Sequence, residues 1–189
     1  MPNNKIIIGI VGEIASGKGT AAEYLKEKYA GSIFKFSTVM RDVLNRLYLP
    51  QTRENLQAVS LALRQTFGQD LFAKTMARDA AASTAEVTII DGIRRPSDIS
   101  ELAKLSSFHL VTIVADEKTR YERVKRRNEN PNDAEKTWNQ FQIEAMADTE
   151  VTIRTIAPAA EFTIDNNGDR ETLYRAIDEV VAKIKNLPA

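Results

Sequence analysis

Apolar residues follow two periods along this chain, and the two alternate. Lys5-Ile6-Ile7-Ile8-Gly9-Ile10-Val11 is a nearly unbroken β-branched run, the pattern of a strand covered on both faces of a parallel sheet. Shorter runs of this kind recur at Ser32 to Phe36, Val87 to Asp91, His109 to Ala115 and Glu161 to Asp165. Between them the apolar positions move to three- and four-residue spacing, the period of an amphipathic helix. Thr20 to Tyr29 reads as a helix ending near Gly31, and Met40, Val43, Leu44 and Leu47 form a helical stripe stopped near Pro50. Thr52 stands three residues before Asn55 and predicts the N-cap of a helix running to about Phe67, where Gly68 breaks it. Further helices are expected from Leu71 to about Ala82, Asp98 to Leu105, Lys118 to Arg127, Ala134 to Ala147 and Arg170 to Lys185. Strands alternating with helices predict an α/β protein, with helices in layers on both sides of a five-stranded parallel sheet and right-handed crossovers.

The 189 residues set a prior of one domain, with 43% hydrophobic and 28% charged residues in ordinary globular balance. Lys+Arg and Asp+Glu are 26 each, which argues against a surface that coats nucleic acid or an anionic membrane. The absence of cysteine excludes disulfides, thiolate nucleophiles and cysteine metal sites, and a single histidine excludes multi-histidine metal chemistry. Residues 1–5 are too short for a targeting signal, and the apolar run after them is far below a membrane span, so a cytoplasmic location is expected. The neutral total hides a local excess, because arginines crowd the stretch from Arg94 to Arg127.

After the first strand comes Gly12-Glu13-Ile14-Ala15-Ser16-Gly17-Lys18-Gly19-Thr20. Gly12 and Gly17-Lys18 have the spacing of the mononucleotide-binding P-loop, here between a buried strand and a helix, the context that gives the motif meaning. Gly12, Gly17 and Gly19 let the backbone curl so that loop N–H groups, Ala15 and Ser16 among them, point at phosphate oxygens. Lys18 bridges the terminal phosphates, and the helix beginning near Thr20 adds the positive end of its dipole. ATP or GTP is expected in this loop, with ATP favoured, and Thr20 is a candidate for phosphate and metal contact. Ser16 offers a second hydroxyl.

Asp91 closes a buried strand at its carboxyl end, where ligands of open α/β sheets bind, and suits a role in holding Mg²⁺. The competing reading is a cap for the next helix. Arg120, Arg123 and Arg127 fall near one helical face, with Arg126 beside them. A guanidinium cluster fits the clamping of negative oxygens in phosphoryl transfer; the alternative is a solvated charged face. His109 reads as a strand histidine with a hydrogen-bond partner, and Trp138 with Phe141 as a packing face.

The loop form Gly17-Lys18-Gly19-Thr20 resembles that of adenylate-kinase-like nucleoside monophosphate kinases. Asp91-Gly92-Ile93-Arg94-Arg95 resembles their Asp-Gly-x-x-Arg signature. It lies closer still to the Asp-Gly-Ile-Arg form of deoxynucleotide kinases and of archaeal proteins related to dephospho-coenzyme A kinase. The resemblance implies a P-loop NTPase fold with a core over 5–36, 86–127 and 160–187, an acceptor-binding helical insert at about 37–83 and a short lid at about 128–136. It also implies that Ser37 or Thr38, with Arg41, binds the acceptor together with Arg94 or Arg95; the proline before the family's arginine is missing here, which leaves both arginines open, and Arg94 is favoured. Arg123 and Arg127 are the preferred lid-side pair, and Asn167 in Asn166-Asn167-Gly168 stands where these kinases pack the donor base. The expected reaction is phosphoryl transfer from ATP with Mg²⁺ to a nucleoside or deoxynucleoside monophosphate, a small-molecule substrate, with no oligomer implied. The alternatives are a dephospho-coenzyme A kinase-like enzyme and a nucleotide-binding ATPase or switch.

Overall fold

The computed structural model describes residues 5–127 and 133–187, and only the backbone of residues 148 and 149. The strands are β1 (Ile6–Val11), β2 (Ser32–Lys35), β3 (Val87–Asp91), β4 (Phe108–Val114) and β5 (Phe162–Asp165). The helices are α1 (Lys18–Lys28), α2 (Phe36–Arg46), α3 (Arg53–Phe67), α4 (Leu71–Ala82), α5 (Pro96–Ile99), α6 (Glu117–Arg127), α7 (Trp138–Ala145), α8 (Asp148–Ile156) and α9 (Arg170–Lys185). The strands form one sheet in the order β2-β3-β1-β4-β5, parallel at every pairing, as the alternating pattern predicts.

That order fixes where chemistry can sit. From β1 the chain crosses β3 to reach β2, whereas from β3 it crosses β1 to reach β4. Connections therefore diverge between β1 and β3, which opens a crevice at their carboxyl ends. The P-loop sequence leaves β1 there, and Asp91 ends β3 beside it.

Alternation along β1 sorts its side chains to two cores. Ile6, Ile8 and Ile10 pack with Ala22 and Leu25 of α1 and with Ile177 and Val181 of α9. Ile7 and Val11 meet Phe72 and Met76 of α4 and Ile153 and Ile156 of α8. Gly9 shares the second face, and a Cβ there would stand 2.7 Å from the Phe108 ring and 2.9 Å from Ile93. The α1–α9 layer is also tied by Asp178, whose carboxylate accepts from Tyr24 (2.9 Å), Tyr29 (2.7 Å) and Lys28 (2.6 Å).

Local chemistry explains the departures from the pattern. The helix expected over 98–105 starts earlier, at Pro96, because the Asp98 side chain caps the N–H groups of Arg94 and Arg95; it runs one turn as α5 and is followed by a 3-10 turn at Leu102–Lys104. The helix expected from Ala134 begins only at Trp138: Thr137 and Gln140 form a reciprocal capping box that sets the start. It ends at Ala145, and α8, which the apolar pattern did not suggest, follows from Asp148. The strand expected to Phe36 stops at Lys35, since Phe36 already opens α2. Thr52 does cap α3, accepting from Asn55 N–H at 3.2 Å, and His109 finds its partner in Glu161 at 2.8 Å. Trp138 and Phe141 pack against Tyr121 of α6. Of the expected lid, 128–132 lie outside the described residues; Asp133 just after them is buried against Lys136 at 3.1 Å.

Candidate functional site

Two of the three loop glycines are sterically required. A Cβ on Gly12 would collide with the Ile113 carbonyl oxygen and lie 2.6 Å from Ser16 Oγ. Gly17 caps α1 at φ 109°, and a Cβ there would strike the Asn166 side chain. Gly19, expected to free the backbone, instead lies inside α1 with open space where its Cβ would be. The other left-handed position of the loop belongs to Ala15, at φ 59°. The first N–H groups of α1, from Lys18 to Thr20, have no intrahelical acceptor and face the same loop mouth as the dipole's positive end.

Lys18 donates to the carbonyl oxygens of Gly12 (2.6 Å) and Glu13 (2.8 Å). Burial pushes its pKa down to about 8; Glu150 and Asp91 counter that shift, while Arg94 and Arg120 add to it. The structure thus brings Lys18, Asp91 and Arg94 into one electrostatic unit at the divergence point. Asp91 is also 4.0 Å from Lys35 at the end of β2. Arg94 and Arg95 have exposed side chains, but their N–H groups are pinned at 3.0 Å each to one Asp98 oxygen. The other oxygen takes the Arg64 guanidinium at 2.6 Å. Both members of that pair are buried, and Arg64 also lies over the Phe72 ring.

The remaining sequence candidates divide. Ser37 and Thr38 occupy the first turn of α2, directly after β2 and at the same end of the sheet. Arg41, one turn on, donates to Gln51 at 2.6 Å on the outer side. Arg123 reaches the Gly168 carbonyl at 3.3 Å, beside Asn167, whose side chain accepts from Asp116 N–H at 2.7 Å. Burial lowers the Arg123 pKa, and its second terminal nitrogen is buried without a partner among the described residues. Arg127 pairs with Asp133 at 3.4 Å, toward the lid segment.

Residues outside those candidates hold the loop. Asn166, rather than its neighbour, donates to the Ser16 carbonyl at 2.7 Å while buried. Glu13 takes Arg120 at 3.2 Å and Arg154 at 2.8 Å, and Glu150 accepts the Ile14 N–H at 2.7 Å. Arg120 belonged to the arginine face read from the sequence; nothing local marks Glu13, Glu150 or Arg64. A cleft of about 290 Å³ opens between the loop, the end of β4, α6 and α8, and the buried hydroxyls of Ser16 and Thr112 on its wall have no partner among the described residues.

This donor set fits a nucleoside triphosphate: a curled loop, helix N–H groups and an ammonium hydrogen-bonded to two loop carbonyls. It also fits Mg²⁺, which takes one or two carboxylates with phosphate oxygens rather than a protein cage. Asp91 and the Thr20 hydroxyl would hold it. Among the described residues no group of three or more acidic or histidine side chains forms such a cage.

Known proteins agree with this architecture. The chain is 28% identical over 184 residues to the UPF0200 protein of Pyrococcus horikoshii, with 95% of this chain and 97% of that protein covered. It is 27% identical over 188 residues to the UPF0200 protein of Thermococcus kodakarensis, covering 95% and 100%. Among solved structures, the shikimate kinase of Bacteroides thetaiotaomicron superposes with a TM-score of 0.59 at 13% identity, over 95% of this chain and 98% of that one. A gluconokinase from Sinorhizobium meliloti superposes with a TM-score of 0.59 at 13% identity, over 98% and 95%. The fold is therefore that of P-loop kinases. The AAA domain family matches residues 11–142, well over half of the chain, and it is to this family that the chain belongs.

Proposed function

We propose that the protein transfers the terminal phosphoryl group of ATP to a nucleoside or deoxynucleoside monophosphate, releasing ADP and the diphosphate. The observation that carries the reading is the half-buried Lys18 with its ammonium on the loop carbonyls and Asp91 and Arg94 in its field. Lys18 and the loop N–H groups from Ala15 to Thr20 bind the donor's phosphates, and Arg123 with Asn167 flanks its base. Arg94, with Arg95, Arg41 and the Ser37 or Thr38 hydroxyl, holds the acceptor's phosphate. Arg123 and Arg127 neutralise the transferred group as the lid region closes. Bound Mg²⁺ supplies charge neutralisation on the phosphates.

A monophosphate acceptor suits a site without a histidine. Its second pKa is near 6, so at neutral pH it is already a dianion and needs no base. An alcohol acceptor, as in the dephospho-coenzyme A kinase-like reading, would call on a carboxylate; Asp42 is exposed on α2.

The test is ADP formation across a panel of nucleoside and deoxynucleoside monophosphates, dephospho-coenzyme A, and no acceptor. At least one monophosphate is expected to raise the rate tenfold or more over the acceptor-free rate, and Lys18→Ala to remove that gain. Stimulation by dephospho-coenzyme A alone would move the assignment to the alcohol acceptor. An acceptor-independent rate, or full activity in Lys18→Ala, would overturn it.

A further inference from the structure

The phosphate loop already holds an anion of its own. Glu150, in the first turn of α8, is 8% exposed, and its Oε2 accepts the Ile14 N–H at 2.7 Å. Of the charged side chains around Lys18 it acts on the ammonium most strongly. Arg154, one helical turn later, joins Glu13 of the loop at 2.8 Å, so α8 is fastened to the loop twice. The Ile14 N–H that holds the carboxylate is one residue past the Glu13 carbonyl that holds the Lys18 ammonium, so both charges are fastened to neighbouring residues of the loop. In a P-loop the lysine reaches the β- and γ-phosphates while the loop N–H groups cradle the α- and β-phosphates.

A carboxylate is an acceptor without donors. One N–H cannot serve it and a phosphate oxygen at full strength together, and two anions sharing one cation destabilise each other. We propose that Glu150 is a donor-selecting residue: it stands in the place of the donor's terminal phosphate and must leave Ile14 and Lys18 when a triphosphate binds. The inference rests on the reading that this loop binds a nucleotide. Without donor, Glu150 satisfies the loop N–H and balances the buried ammonium. A triphosphate displaces it and with it the start of α8; a diphosphate, which leaves that position vacant, does so less. Glu150 therefore narrows the affinity gap between ATP and ADP, which favours turnover over a tightly held donor.

Calorimetric titration of ATP and ADP into the wild type and Glu150→Gln tests this. The amide keeps the length and an oxygen for the Ile14 N–H while removing the charge. ATP affinity is expected to rise at least tenfold, with ADP affinity changing less than threefold. In the wild type, the fluorescence of Trp138, the single tryptophan and part of the helix leading into α8, is expected to respond to ATP more than to ADP. Unchanged ATP affinity, an equal gain for both nucleotides, or equal fluorescence responses would overturn the proposal. These results are separable from failure of the functional reading: absence of nucleotide binding in both proteins overturns both ideas, whereas binding with an unaltered ATP-to-ADP ratio overturns this one alone.

Discussion

The phosphate loop and the helices between β2 and β3 meet at the same end of the sheet but are built in opposite ways. In the loop, charge is matched internally: Lys18 sits on two carbonyls, Glu13 between two arginines, and Glu150 on a backbone N–H. Two of its glycines, Gly12 and Gly17, are fixed by close contacts. Across the crevice, α3 buries only Arg64 over its fifteen residues. Leu47, Tyr48, Leu49, Leu61 and Phe67, on α3 and the turn between α2 and α3, are 47–88% exposed. The difference follows from what each region meets. A polyphosphate presents one fixed geometry, and a preset cradle loses little entropy on binding it. On the proposed function, the helical region recognises one acceptor among many and can be completed by that acceptor. The Arg64–Asp98 pair fastens α3 to the segment after β3 that bears Arg94 and Arg95.

The largest effect is expected at that pair. Asp98→Ala strands a buried guanidinium and two N–H groups, and should cost about 3–5 kcal/mol in urea unfolding. A loss under about 1 kcal/mol would mean that α3 has other moorings. Asn166→Ala removes the hydrogen bond to the Ser16 carbonyl and leaves that carbonyl buried. About 1–3 kcal/mol of stability should go, with weaker ATP binding in the same variant; unchanged binding would show that the loop holds its shape without Asn166.

A pH effect separates the cradle from its surroundings. The folded pKa of Lys18, about 8, lies below its unfolded value, so the buried ammonium opposes folding below pH 8 and that cost is relieved as pH rises from there toward 10.5. Donor binding has the opposite trend. Phosphate needs the protonated form, so ATP affinity should be level below pH 8 and fall above it, by up to roughly tenfold per unit in the one-proton limit. A calorimetric pH series checks this, and a profile flat to pH 10 would remove Lys18 from the phosphate contact. The smallest change belongs to the exposed side: Leu61→Ser should move the unfolding free energy by less than about 0.5 kcal/mol. A larger loss would show that the open apolar face is packed in solution.

Much of the fold was legible because its signals are local. The β-branched runs, the glycine spacing after Val11 and the Thr52 cap each lie within a few residues, and the structure carries all three. The neutral charge total also concealed a local excess, but the sequence suggested a cleft rich in positive charge, whereas Glu13 and Glu150 sit among its cations. Glu150 lies 136 residues from Ile14, Asn166 lies 150 from Ser16, and Arg64 lies 34 from Asp98. No local period brings such pairs together; only the strand order and the return of α8 across the loop do. The start of α5 at Pro96 was illegible for a related reason, since the aspartate that reads as a helix start instead caps the N–H groups of Arg94 and Arg95, four and three residues before it.

The central claim is that the crevice between β1 and β3 is a preset anion site centred on Lys18. Calorimetric titration of ATP with Mg²⁺ into the wild type and Lys18→Met at pH 7, with a thermal melt of each protein alone, tests it most directly. The expected result is binding weakened at least a hundredfold in Lys18→Met, while the ligand-free variant melts at or above the wild-type temperature because a costly buried charge is gone. Equal ATP affinity in two folded proteins would contradict the claim.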